Sequence, residues 1–178
     1  MKKETIQRNA YETRRKLLLA AETVLAEEGY IAFSENKICD RVGVTRGALR
    51  HHFPTGRYDL IKTLAESFLQ QVPTGDTHNS KTRIIELIAF MHQHPRHNPL
   101  MLLMEIWLAT SADKRLAEVV KPVFDQRYQV LFGVDSLEML PEHLTPYRLM
   151  FWGAILALHH KDSDNQNLKT VIDFLNAH

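Results

Sequence analysis

Several classes of protein are excluded by what the chain lacks. A single cysteine, Cys39, in 178 residues rules out an intramolecular disulfide framework and any cysteine-built zinc site. No apolar run follows Met1, which argues against a secretory leader. The longest apolar stretches, near 100–109 and 149–158, are too short to cross a bilayer. Alternation of period two is nowhere sustained, so a sheet protein is not expected. No phosphate loop, no Gly-x-Ser-x-Gly and no His-Glu-x-x-His segment occurs, and with them go the usual signatures of enzymes of those classes. The ten histidines do not gather by spacing: Pro95 interrupts His92, His94 and His97, and His159 and His160 are adjacent and diverge. Zinc needs three or four convergent ligands, so neither a metal nor catalytic residues are expected, and a cytoplasmic, non-enzymatic protein is.

What is present is an uneven distribution of charge. The net charge is only +1. Residues 1–60 nevertheless carry +3, residues 61–178 carry −2, and residues 1–16 alone carry +4. A basic head on a mildly acidic body suits a polyanionic partner at one end. The first ten residues read as an unstructured basic arm.

Glycines and prolines, seven of each, punctuate long stretches with apolar spacing of three and four, and the chain reads as all-α. A first helix over about 11–28 has Leu17, Ala20, Ala21, Val24 and Leu25 on one stripe and ends at Gly29. Ser34 caps a short second helix with Ile38 and Val42 inward. Gly43 ends it where a positive φ is needed, and Thr45 caps a third helix that holds Leu49 inward. A fourth runs over 57–71. The polar segment 73–80 is the clearest break. Further helices are placed near 80–94, 98–111, 113–132, 143–161 and 164–177, with a kink or break at Pro122 and a loop over 133–144. The division that follows is a first helical domain over 1–56, a connecting helix over 57–72 and a larger helical domain over 73–178.

Two short helices joined through Asp40-Arg41-Val42-Gly43-Val44-Thr45 have the spacing of a helix-turn-helix. The turn leaves the outer face of the second of them free to lie in a major groove about 12 Å wide. Thr45, Arg46, Gly47, Ala48, Arg50, His51 and His52 line that face without a carboxylate. Gly47 and Ala48 are small enough for close backbone approach. Arg46 and Arg50 can donate to guanine edges or to phosphates, and Thr45 can bring a helix N-terminus to a phosphate.

These residues carry a resemblance. Glu12–Leu60 resembles the DNA-binding domain of the TetR family of transcriptional regulators, through Thr13-Arg14 leading into Leu18–Leu25, Glu28-Gly29-Tyr30, the run Ile38–Leu49, His51-His52-Phe53, and Gly56-Arg57 with Leu60. The resemblance covers about 50 of the 178 residues; residues 61–178 match only in helical pattern and size. It implies that Thr45, Arg46, Gly47 and Ala48 open the recognition helix, that His51 contacts backbone or a base edge, and that Ser34 and Arg57 hold flanking phosphates. Lys37 and the other basic residues, Lys2, Lys3, Arg8, Arg14, Arg15, Lys16 and Arg41, would add salt-dependent attraction to the duplex. Arg50 stands where the family usually has a tyrosine that reaches a phosphate. Phe33 and Glu35 break the usual pattern at the start of the second helix, and Glu35 would repel a nearby phosphate. Cys39, in place of a common alanine, reads as a small buried hydrophobe.

The resemblance further implies a homodimer, a pseudo-palindromic operator, and release of a repressor by a small apolar effector. Phe90, Met91, Met101, Met104, Trp107, Phe124, Tyr128 and Phe151 can fill a core or line such a pocket. Glu105 is the polar exception within an apolar helix and needs a partner, either internal or a cationic ligand. Tyr147, Met150, Ala154, Ile155 and Leu158, followed by Leu168, Val171, Ile172 and Leu175, are assigned to a four-helix dimer interface; the alternative is a monomer whose last helices only close the core. A helical adaptor would explain the helices but not the acid-free basic face. A helical enzyme would need a site that no motif announces.

Overall fold

The computed structural model of the chain describes residues 2–75, 79–94, 98–132, 134–158 and 166–177. Among these every regular element is helical. In order they are α1 (Lys2–Ala32), α2 (Glu35–Val42), α3 (Arg46–His52), α4 (Arg57–Gln71), α5 (Ser80–Gln93), α6 (Pro99–Ala109), α7 (Lys114–Phe132), α8 (Thr145–Leu158) and α9 (Gln166–Ala177). Two single 3₁₀ turns, Leu137–Met139 and Glu142–Leu144, fall in the expected loop before α8.

The described residues form two compact units. The first comprises Met1–Glu66 with Glu105–Val120, the second Ser67–Met104 with Lys121–His178. In the first, α1 packs on α2 and α3, and α2 on α3. Leu17, Ala21, Val24 and Leu25 of α1 are all at most 1% exposed, which is the stripe a 3.6-residue period buries. Ile38, Leu49, Phe53 and Leu60 complete that core. In the second unit α5 packs on α8 and α9, and α8 on α9. Ile84, Leu87, Ile88 and Met91 of α5 meet Phe151, Ala154, Ile155 and Leu158 of α8 and Leu168 and Leu175 of α9 in a buried core.

The caps of the helix-turn-helix arise from local sequence. The Ser34 hydroxyl accepts from the Lys37 N–H, and Gly43 closes α2 at φ 74°, ψ 37° with its N–H on the Cys39 carbonyl. The Thr45 hydroxyl accepts from the Ala48 N–H at 3.1 Å. Each cap satisfies a backbone group that would otherwise lack a partner.

Three expectations are corrected. The first ten residues are not an irregular arm: the backbone is already helical from Lys2. Gly29 does interrupt α1, at φ 78°, ψ 176°, but the chain resumes helical turns to Ala32. Of the kink or break expected at Pro122, the break is overturned, since α7 continues as one helix from Lys114 to Phe132. The segments near 133 and 159–165, with His97, His159 and His160, lie outside the described residues.

Candidate nucleic-acid interface

Helix α3 is seven residues long, and only Leu49 of it is fully buried. Thr45, Arg46, Gly47, Arg50 and His51 are exposed, and Ala48 and His52 are half-buried. The face expected to enter a groove is therefore at the surface of its unit. Around a Cβ at Gly47 the nearest atom is Thr45 Oγ1 at 3.7 Å, so the residue is not needed for internal packing, and its smallness serves an outside surface. His51 and His52 meet edge to face at 5.2 Å. Burial first, then the positive charges of His51 and Arg14, push the His52 imidazole below its ordinary pKa.

The two arginines do not stand alone. Arg50 grips the Glu35 carboxylate with two donors, Nε on Oε2 and Nη2 on Oε1, both at 3.1 Å. Arg46 Nε reaches the same Oε2 at 3.3 Å. The Arg50 guanidinium, above all, holds the Glu35 carboxyl below the ordinary carboxylate range, against the burial that pushes it up. Glu35 is thus built into the surface as a partner of α3. The sequence shows it only as a departure from the family pattern.

Other basic residues are also committed. Lys37 Nζ pairs with Glu28, and Arg41 with Glu27 and Glu28 at 3.3 and 2.9 Å. These pairs are exposed, and such pairs contribute about 0–1 kcal/mol, so both side chains can exchange onto a phosphate at low cost. Arg14 lies over the Phe53 ring, 5.0 Å from its centroid.

Arg57 is the clear correction. Rather than projecting as a phosphate clamp, it is drawn inward, donating to the Tyr30 hydroxyl and to Asp113 Oδ2 at 2.7 Å. Its guanidinium lies 5.0 Å from the Tyr30 centroid and 5.1 Å from that of Tyr58, and its Nε is buried without a hydrogen-bond partner. The Tyr30 hydroxyl in turn donates to Asp113 Oδ2 at 2.8 Å, and the Tyr58 hydroxyl donates to the same oxygen at 3.3 Å. Asp113 Oδ1 accepts from the Leu116 N–H at 2.9 Å and so caps α7. Burial pushes the Asp113 carboxyl up, but the Leu116 N–H, the Tyr30 hydroxyl and the Arg57 guanidinium together bring it below its ordinary value. Burial, then the Asp113 carboxylate, drives the Tyr30 phenol well above its own. No local spacing announces this cluster, because Arg57 and Asp113 are 56 residues apart.

The pocket set divides between the units. Met91, Met104 and Phe151 are buried, and Phe90, Met101, Phe124 and Tyr128 half-buried, in the second unit. Burial pushes the Tyr128 phenol up to about 12. Glu105 and Trp107 fall in the first unit. Trp107 is 40% exposed. Glu105 has an internal partner, the first of its two alternatives: its Oε1 accepts the Tyr30 N–H at 2.7 Å. The dimer set needs a correction. Ala154, Ile155, Leu158, Leu168 and Leu175 are buried within one chain, while Tyr147, Met150, Val171 and Ile172 are half-buried. The large apolar side chains that the described residues of α8 and α9 leave exposed are Leu149, Leu156 and Phe174.

The described residues thus hold a capped helix-turn-helix with an exposed, basic second helix, and a further helical unit. Residues 17–64 match the family of bacterial regulatory proteins, tetR family. The HTH-type transcriptional regulator CymR of Pseudomonas putida is 37% identical over 86 residues, which cover 48% of this chain and 40% of that one. Over that relative, therefore, the chain accounts for less than half the length. Uncharacterized HTH-type transcriptional regulators of Mycobacterium bovis and Mycobacterium tuberculosis are 26% identical over 153 residues, 80% of this chain and 77% of theirs. In fold the chain is similar to Salmonella enterica GusR, with a TM-score of 0.60 at 18% identity over 93% and 94% of the two chains. Residues 17–64 are thus similar to the N-terminal domain of the tetR family of bacterial regulatory proteins.

Proposed function

We propose that the chain is a homodimeric repressor that binds a pseudo-palindromic operator through α3 and leaves it when a small apolar effector binds the C-terminal helices. The observation that carries the DNA-binding part is the surface of α3: Arg46, Gly47, Arg50 and His51 exposed together, on a helix with no acidic residue. A cationic helix of this length, whose two arginines share the Glu35 carboxylate, suits a major groove. The functional division at 72/73 belongs to the same reading. So do the DNA contacts of Ser34, Lys37, Thr45, Ala48 and His52, which flank or share that face.

The effector reading rests on the methionines and aromatics of the second unit, Phe90, Met91, Met101, Met104, Phe124, Tyr128 and Phe151. Release requires that the effector prefer a state with lower operator affinity. Such coupling is typically about 1–3 kcal/mol and is reciprocal, so operator DNA must weaken effector binding by the same factor.

The deciding experiment is selection of duplexes from a random pool by the full chain, followed by titration of the winning duplex against a scrambled one. The reading expects a preference of about a thousandfold or more for the winner at physiological salt. Equal binding to both duplexes would leave only a nonspecific polycation.

A further inference from the structure

Glu35 sits beside the two exposed arginines of α3. Its side chain is 11% exposed, whereas those of Arg46 and Arg50 are 57% and 53% exposed. The carboxylate is seated from behind. A Cβ added at Gly56, itself at φ 66°, would fall 2.0 Å from Glu35 Oε1, so glycine there is what makes room for it. The backbone N–H of Arg57 also bears on it. From this seat it takes one edge of the Arg50 guanidinium, Nε and Nη2, in a fork. A guanidinium has five N–H donors in a fixed plane. The other edge, Nη1 with the second hydrogen of Nη2, has no hydrogen bond among the described residues.

We propose that Glu35 is a positioning residue that holds Arg50 with its end edge presented to guanine O6 and N7, making Arg50 a reader of a G·C pair rather than a phosphate contact. The proposal rests on α3 being the helix that enters the groove. The physical reasons are two. A guanidinium fixed in a fork has already given up its rotamer freedom, so the second fork, to O6 and N7, forms with less ordering cost. A carboxylate 3.1 Å away also cancels most of the attraction a phosphate would feel and repels it directly, whereas the neutral acceptors of guanine meet no such repulsion. An arginine without this partner would settle on the backbone, where the long-range attraction is strongest. Arg46, held by a single bond at 3.3 Å, is less restrained.

The test uses the full chain, the duplex it selects from a random pool, single G·C to A·T replacements of that duplex, and a scrambled duplex. For the wild-type chain at least one replacement is expected to lower affinity by about fivefold to 150-fold, the range of one bidentate contact. Glu35→Gln keeps the size of the side chain and removes the charge. It is expected to shrink the penalty at that base pair, to bind the scrambled duplex more tightly, and to steepen the salt dependence by about 0.9 in log–log slope per phosphate gained. Arg50→Lys is an exposed change that does not threaten folding; it keeps the charge but loses the fork, and should erase the same penalty with little change on scrambled DNA. If Glu35→Gln alters affinity for all duplexes by one factor and leaves the penalty intact, or if Arg50→Lys leaves it intact, the positioning role is overturned while operator binding stands. If the wild-type chain selects no duplex, the groove-reading role of α3 falls as well.

Discussion

A glycine and a glutamate 76 residues apart in sequence fix the kink near the end of α1. Gly29, at φ 78° and ψ 176°, occupies a region that is essentially open to glycine alone. A Cβ there would also lie 2.6 Å from Glu105 Oε1, the atom that accepts the Tyr30 N–H. Gly29→Ala therefore combines backbone strain with displacement of a hydrogen-bond acceptor, and is expected to destabilise the chain by about 2–4 kcal/mol. Glu105→Gln keeps an acceptor oxygen and should cost less than about 1 kcal/mol. Urea unfolding of both variants checks this ordering; a Glu105→Gln loss as large as that of Gly29→Ala would mean that the charge, not the hydrogen bond, holds the corner. Half of this was legible. A glycine after an apolar stripe marks a helix end wherever it occurs, so Gly29 was readable from local sequence. That Glu105 should serve Tyr30 was not, because one carboxylate in an apolar helix signals only that a partner exists, not which one.

At the scale of elements the same contrast holds. The caps of α2 and α3 involve residues at most five apart, and Ser34, Gly43 and Thr45 announce them. The bond between the start of α4 and the start of α7 is different, since it depends on where the chain returns after some fifty residues. It runs through Asp113, which caps α7 with one oxygen and receives Arg57 and Tyr30 on the other. Asp113→Ala removes the cap and leaves the guanidinium, whose Nε already lacks a partner, with another donor unmet. A loss of about 2–3 kcal/mol follows from a cap and a charge-assisted bond at a partly buried site. The loss depends on pH with a definite sign. The folded carboxyl lies below its ordinary 3.8, so between the two values the unfolded chain binds more protons and stability rises with pH. The gap between wild-type chain and Asp113→Ala should be full above that ordinary value and narrow as pH falls through the folded one. Thermal melts from pH 7 into acid check it; a gap of constant size throughout would show that the carboxylate charge plays no part.

At the scale of the molecule, the face through which two copies would meet could not be read from the sequence. Helix α8 is apolar nearly all round, so its periodicity does not distinguish an inner side from an outer one. The structure separates them. Ala154, Ile155 and Leu158 face the core, while Leu149 and Leu156 are 62% and 56% exposed. Gly153 lies between these two in sequence, with nothing within 4 Å of an added Cβ. Positions 149, 153 and 156 form one stripe at helical spacing, and Phe174 of α9, 49% exposed, is a further exposed apolar side chain on the helix that packs beside it. Exposed leucines flanking a glycine suit the close approach of a second helix, and this stripe, rather than the buried residues, is the expected contact of the proposed homodimer. A Leu149→Glu, Leu156→Glu double variant changes only surface positions. Its folded subunit should keep wild-type helicity and stability within about 0.5 kcal/mol per site once the dimer contribution is set aside. Sedimentation should then find a 20.6 kDa monomer. Binding to a full palindrome, whose half-sites lie about 34–36 Å apart, should weaken by about a hundredfold or more, because the second half-site loses its tethered partner. Binding to an isolated half-site should be unchanged. A double variant that stays dimeric would move the interface elsewhere. One that becomes monomeric yet holds the palindrome as tightly would separate dimerisation from operator recognition altogether.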